Sequence, residues 1–420
     1  MNKSAIDTTQ TTSQRRISLS ATFAALSQPN YRLWFIGQMI SLMGTWMQST
    51  AQGFLVFQLT NSPVYLGYVG FAAGVPAWLF TLHGGVIADR MQRRTLLIIT
   101  QVSMMILAFI LATITFLGIV QPWHIIVMAF LLGIVNAFDA PARQSFVLEL
   151  VSREYLTNAV ALNATMFNTG TAVGPAVAGI TYAMFGPAWC FLINGLSFIA
   201  VITALLLMKL KPAAIDKSQK SALEGIREGY QFVRSNVLVR TLILYLAAVS
   251  LFGISFLTLM PDWAVKILGG DAKTNGVLQS ARGVGALIGA LLTATLSHMG
   301  LRGKLVTWGS FLFSSFLIIF GLIHWLPISL LMIALVGISQ IVYMNNTNSL
   351  VQTETPDHLR GRVMSIYTLA FAGLSPIGSL LMGTMAATIG EENTLIISAA
   401  LLLLGAFWIR LKVPHIWQSI

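Results

Sequence analysis

Asp89, Arg90, Arg93 and Arg94 lie close together in a segment that opens at Gly85. On either side runs an apolar stretch long enough to cross a bilayer at about 20 residues per helical span. Such a set offers ion pairing rather than bond making: a carboxylate and guanidinium groups can bind partner charges and steady one arrangement of helices. The same groups are costly among lipid tails, so the segment reads as a tight turn at one membrane face, with Gly84 and Gly85 allowing close helix packing. Within the spans the polar residues are amides and hydroxyls: Gln38, Thr45, Gln48 and Gln52 on the first, Asn163 and Asn168 on the fifth, Gln340, Asn345 and Asn346 on the tenth. Each could bind a small molecule or simply hydrogen-bond a neighbouring helix, and their joint placement favours a cavity. Arg282 stands alone in the eighth span, one turn after Gln279. An arginine there either faces a cavity or partner, or snorkels to the headgroups.

Other chemistries are missing. No Gly-x-x-x-x-Gly-Lys-Ser/Thr occurs, and Gly300 to Lys304 lacks the following hydroxyl, so ATP hydrolysis is not expected. Cys190 is the only cysteine, which excludes an internal disulfide and a cysteine-based metal cluster. The spans show no His/carboxylate metal group and no nucleophile-base pair. The expectation is no cofactor, no metal and no enzyme. An ion gradient is the remaining driving force, and Asp139 is the main acid inside a span.

The elements that must position these residues follow from composition. Of 420 residues, 56% are apolar and 9% charged, too little polar surface for a soluble globule of that size. The net charge of +11 does not point to nucleic acid, because Lys and Arg are scattered between apolar segments rather than gathered on one face. Twelve such segments fall near 33–57, 64–88, 95–119, 124–147, 158–184, 189–209, 240–260, 275–297, 305–323, 327–350, 363–388 and 394–411. With the N-terminus inside, every Lys and Arg except Lys266, Lys273 and Arg282 falls on the cytoplasmic side. The expected fold is an all-α membrane protein of twelve transmembrane helices in two pseudo-symmetric six-helix bundles, 33–209 and 240–411. Cytoplasmic tails occupy 1–32 and 412–420, and a linker at 210–239 carries Lys211, Lys217, Lys220, Arg227 and Arg234. An amphipathic helix is expected in that linker around Leu223, Ile226, Tyr230 and Phe232. Gly133 to Gly186 can be laid without a gap on Gly337 to Gly390, matching Gly174 with Gly378 and Gly179 with Gly383, as a duplication would. In the fifth span Gly170, Gly174-Pro175 and Gly179 are read as lying on nearly one face, a kinked and tightly packed helix.

These motifs resemble a known family. Gly85, then Asp89-Arg90, then Arg93-Arg94 is similar to the loop between the second and third helices of the major facilitator superfamily, with Gln92 where that family usually has Gly. Gly170, Gly174-Pro175 and Gly179 resemble the fifth-helix motif of its exporters, with Ala178 replacing a customary Gly. Asn30 to Trp34, Ala137 to Gln144 (with Asp139 and Arg143) and Pro356 to Ser365 look like the branch containing the enterobactin exporter and macrolide-efflux permeases. The resemblance implies a monomeric alternating-access transporter in the bacterial inner membrane, surrounded by lipid bilayer. It would export an amphipathic small molecule (a drug, macrolide-like compound or siderophore) against a coupling ion. The fourth helix lacks the Arg-x-x-Gln-Gly pattern of many proton-drug antiporters, so a proton as that ion is implied by family alone. The resemblance also implies an inner gate in which Asp89 faces the start of the eleventh helix and Arg93 meets an acid of the fourth, for which Asp139 is the candidate. A metabolite importer or facilitator of the same fold, a lipid scramblase and a membrane enzyme are the alternatives.

Overall fold

Prolines mark where several helices begin, because the missing amide hydrogen is unneeded in a first turn. Pro29, Pro63, Pro122 and Pro187 open helices α1 (Pro29–Thr60), α2 (Pro63–Arg90), α4 (Pro122–Leu150) and α6 (Pro187–Leu207). Between them lie α3 (Arg93–Phe116) and α5 (Leu156–Phe185). After a short linker helix (Ala222–Ser235) come α7 (Val237–Ile267), α8 (Ala272–Leu296), α9 (Arg302–Leu322), α10 (Leu326–Glu354), α11 (Asp357–Ile389) and α12 (Glu391–Lys412). The computed structural model describes residues 23–210, 222–296 and 300–413, with the side chains of 82, 86, 88, 89 and 222–226 left out. Most of the expected tails, together with Lys211, Lys217 and Lys220 and the side chains of Leu223 and Ile226, lies outside the described residues. No strand occurs among the described residues. Among the described residues, ten helices have the length and hydropathy of membrane spans. Helices α1 and α5, which hold most of the intramembrane amides of the first half, are long but more polar.

Two expected boundaries move. The segment from Gly85 to Arg90 is the last stretch of α2 rather than a turn, and the turn itself is only Met91 and Gln92. The seventh span does not stop at 260: π turns at Val249–Ile254 and Trp263–Ile267 carry the helix on to Ile267. The chain runs up and down, so one end of the molecule holds the starts of α1 and α3, the linker helix and the end of α12. We call this the terminal end and the opposite one the far end.

Three apolar clusters form the core. One is built only from residues 233–413, and a second, toward the terminal end, only from residues 25–210. The third lies at the far end of the first half and takes in Ala272 from α8. Glycines paired by the sequence alignment meet counterpart helices. Gly174 packs on α1 and Gly378 on α7; Gly179 packs on α8 and Gly383 on α2; Gly133 packs on α2 and Gly337 on α8. The linker helix docks on the second half, where Gly229 lies against Arg362 and Glu228 pairs with Arg362.

Candidate functional site

Two glycine-lined clasps join the first half of the chain to the second, both in the part of the helices nearer the far end. In the α2/α11 clasp, a Cβ added at Gly67 would lie 2.9 Å from Ser379 O, and one at Gly383 would lie 2.6 Å from Pro63 O. Gly70 meets the Ser379 side chain, Gly74 meets the Pro376 ring, and Trp78 Nε1 donates to Gly373 O at 2.8 Å. In the α5/α8 clasp, a Cβ at Gly276 would strike Pro175 O and lie 2.9 Å from Gly179 Cα, and one at Gly283 would lie 2.6 Å from Ala172 Cα. Only residues without side chains let backbones approach so closely. Beyond Gly283 the two helices part. Thr157, Val160, Ala161, Ala164 and Thr165, which continue the α5 face toward the terminal end, are exposed, as are Gly361, Ser365, Thr368 and Leu369 on α11. A Cβ at Gly85 would meet nothing within 4 Å, so the close packing expected there belongs to Gly84 alone, which meets Ala137 and Phe138 of α4. Close backbone packing between the halves thus lies nearer the far end, whereas these α5 and α11 residues toward the terminal end are exposed.

The fifth-helix glycines do not share one face. Gly170 and Gly174 pack on Trp46 and Met43 of α1, whereas Gly179 packs on Ala272 and Gly276 of α8. Positions five apart on a helix point about 140° away from each other at 3.6 residues per turn, so the motif serves two neighbours at once. Pro175 lies inside an unbroken helix.

The expected pair between Arg93 and Asp139 is not formed. Arg93 pairs with Glu149, also on α4. Asp139, fully buried, pairs with Arg143 at 2.5 Å and accepts hydrogen bonds from Thr100 Oγ1 (2.8 Å) and Gln101 Nε2 (2.9 Å). Helix rise explains the correction: ten residues along α4 span about 15 Å, so Glu149 is level with the start of α3 and Asp139 sits deep beside its second and third turns. Arg94 donates to Leu206 O at 2.8 Å, capping α6. Arg90 is exposed. The backbone of Asp89 lies in the last turn of α2, and its side chain lies outside the described residues.

The amides divide. Gln48 Oε1 accepts from Asn194 Nδ2 on α6 at 2.7 Å, and Gln52 Nε2 donates to Ile125 O on α4 at 3.2 Å, so both serve helix packing inside the first half. Gln38 is buried and its Oε1 has no hydrogen-bond partner. Thr45 and Asn346 bond their own helices, Asn168 is half-buried, and Asn345 is exposed. Asn163 lines a cavity of about 440 Å³ between α1, α4 and α5, with Trp34, Leu42, Arg143, Met166 and Phe167. Its walls are mostly apolar and its one cation is already neutralised by Asp139. Gln340 accepts from Arg282 Nη1 at 3.4 Å.

One charged cluster was not anticipated. Asp262, fully buried in α7, pairs with Lys266 at 3.0 Å, and Lys266 reaches Glu391 at 2.7 Å while lying 5.6 Å from the Phe57 ring of α1. The signal available was the spacing of Asp262 and Lys266, i and i+4 on a helix.

The model of the transmembrane secretion effector family matches residues 20–419, and the chain belongs to that family. The staphyloferrin A transporter of Staphylococcus aureus (strain NCTC 8325 / PS 47) is 28% identical over 86% of this chain and 91% of its own. The enterobactin exporter of Shigella boydii serotype 18 (strain CDC 3083-94 / BS512) is 26% identical over 86% of each. The multidrug efflux pump Tap of Mycolicibacterium fortuitum is 30% identical over 84% of this chain and 88% of its own. By name these relatives are a transporter, an exporter and an efflux pump, and the major facilitator superfamily resemblance of the motifs holds. Among solved structures, a bacterial homologue of the human lysosomal transporter Spinster, inward-facing and unoccupied, shares the fold with a TM-score of 0.70 at 13% identity, covering 96% of this chain and 99% of its own. The ten apolar spans and the exporter relatives make this a multi-pass bacterial inner-membrane protein.

Proposed function

We propose that this member of the family is a monomeric secondary active exporter of an amphipathic small molecule, a siderophore or a drug, working by alternating access and coupled to the proton gradient. The observation that carries the reading is the pair of glycine clasps: the interface between the halves is tight at one end and parted at the other, which is one state of a rocking transporter. Helices α1 and α5 complete a set of twelve spans in two six-helix bundles, residues 33–209 and 240–411, related as the matched glycines suggest. The excess of Lys and Arg at the terminal end supports reading that end as cytoplasmic. The structure is then inward-open. The inner gate draws on Gly85, Asp89, Arg90, Arg93 and Arg94, with Glu149 as the acid that Arg93 meets, while Asp139 and Arg143 brace the first bundle. Substrate enters among Gln38, Asn163, Asn168, Arg282, Gln340 and Asn345. For the proton, Asp262 suits the task better than Asp139, because it faces Lys266 and Glu391 beside the far-end seal and is uncovered when α1 leaves α7.

The test is accumulation of ethidium and secretion of siderophore by cells that lack other pumps. The reading expects lower ethidium retention or higher siderophore release when the chain is produced, reversed by a protonophore and lost in Asp262→Asn. Neither effect, with the protein present in the membrane, would contradict it.

A further inference from the structure

Helix α8 carries a polar row on the side opposite its exposed apolar face. Val284, Ile288 and Leu291 form its exposed apolar face. Asn275, Gln279 and Arg282 lie roughly 140° to 180° around the helix from Val284 at about 100° per residue. Asn275 is fully buried, and Gln279 Nε2 donates to Asn275 Oδ1 at 3.0 Å. From the other half of the chain, Thr50 Oγ1 on α1 reaches Gln279 Oε1 at 3.5 Å and closes the row. Arg282 stands at the inner end of the row, beside Gly283, at the level where α5 and α8 part.

Arg282 has no carboxylate partner among the described residues. Its polar contact is the neutral Gln340 amide at 3.4 Å, and its Nε is buried without a hydrogen-bond partner. The residue as a whole is neither fully buried nor exposed. It precedes Gly283, which packs on Thr171 and Ala172 of α5, so Arg282 stands beside the seam between the halves. The contrast with Arg143 is direct, since that guanidinium sits against a buried carboxylate at 2.5 Å. A guanidinium held at mid-span without a counter-charge is costly unless an anion joins it, and its planar donors match a carboxylate or a similar two-oxygen anion.

We propose that Arg282, supported by Gln340, is the anchor for the anionic head of an amphipathic substrate, and that Gln279 and Asn275 line its exit once Thr50 withdraws. This rests on the exporter reading and narrows its cargo to organic anions. When α1 separates from α8 the Thr50 bond breaks and the row opens toward the far end, so the head passes from the guanidinium to amide donors on its way out.

The probes are 1-pyrenebutyrate, its neutral carboxamide, and ethidium. Equilibrium binding is measured on the full chain in lipid nanodiscs, corrected for empty nanodiscs. The native protein should bind the carboxylate about tenfold or more tighter than the carboxamide, a difference of about 1.4 kcal/mol. Arg282→Gln should erase that preference, and Arg282→Lys, which keeps the charge but not the fork, should retain part of it. An unchanged melting temperature in Arg282→Gln separates loss of the anchor from loss of the fold. Equal binding of the two pyrene probes by the native chain, or an undiminished preference in Arg282→Gln, overturns the proposal. Uptake of ethidium into inverted vesicles without any binding of the carboxylate overturns the anion site and leaves the exporter reading standing. Transport of no probe and binding of none counts against both.

Discussion

The two clasps hold the same end of the molecule closed with different contacts. In the α5/α8 clasp the obstacles to a larger residue are main-chain atoms: Pro175 O against Gly276, Ala172 Cα against Gly283, and Ala272 O against Gly179. In the α2/α11 clasp, side chains take up part of the interface: the Ser379 hydroxyl against Gly70, the Pro376 ring against Gly74, and the Trp78 indole on Gly373 O. Side chains can be exchanged for smaller ones, whereas a backbone cannot be trimmed. The α5/α8 clasp is therefore the rigid one and the α2/α11 clasp the adjustable one, although helix pairing and direction are equivalent.

The largest effect should come from filling the rigid clasp. Gly276→Leu should lower transport by more than about tenfold, because overpacking costs roughly 1–3 kcal/mol or more and here falls entirely on one conformer. Membrane insertion, read by expression and by gel filtration in detergent, should be unchanged. Gly276→Ala should show the same defect in smaller measure, and no side-chain reduction on α5 should repair it, since its obstacle is Pro175 O.

A milder outcome is expected at the adjustable clasp. A Cβ at Gly70 would lie 2.6 Å from Ser379 Cβ, so Gly70→Ala alone should impair transport, and Ser379→Gly in the same chain should restore most of it. Purely additive losses in that double variant would erase the distinction between the clasps. The smallest change should follow Trp78→Phe, which keeps the ring but removes the bond to Gly373 O. One hydrogen bond of about 0.5–1.5 kcal/mol corresponds to a few-fold shift away from the far-end-closed state. Transport would change little, and the shift would be seen as faster labelling of far-end cysteines.

Much of this was legible in the sequence. Apolar segment lengths and the scatter of basic residues between them reflect strong local physics, and the family motifs lie on or beside α2, α4 and α5. What sequence missed depended on register between helices. Glu149 fell outside a span drawn to end at 147, so Asp139 was the only visible acid on the fourth helix, yet α4 runs to Leu150 and brings Glu149 level with Arg93. Asp262 fell outside a span drawn to end at 260, because apolar counting cannot see π turns that continue a helix through a charged stretch. Gln48 and Gln52 share a helical face with cavity candidates, but Asn194 and Ile125 satisfy them from other helices, which no single-helix pattern reveals. Arg282 was visible as an anomaly, and only the structure shows that it meets a neutral amide and no carboxylate among the described residues.

On this reading the clasps close one end of a molecule whose two ends open in alternation. Cys190 is buried, so cysteines introduced at exposed sites can be labelled selectively. Spin labels at Tyr65 and Thr388 report the far end of α2 and α11, and labels at Thr157 and Thr295 report the terminal end of α5 and α8. Distances between each pair are to be measured by double electron-electron resonance in the native background and in Gly276→Leu. On that reading the substitution should lengthen the far-end distance and shorten the terminal-end distance. An unchanged far-end distance, or both distances lengthening together, would contradict it.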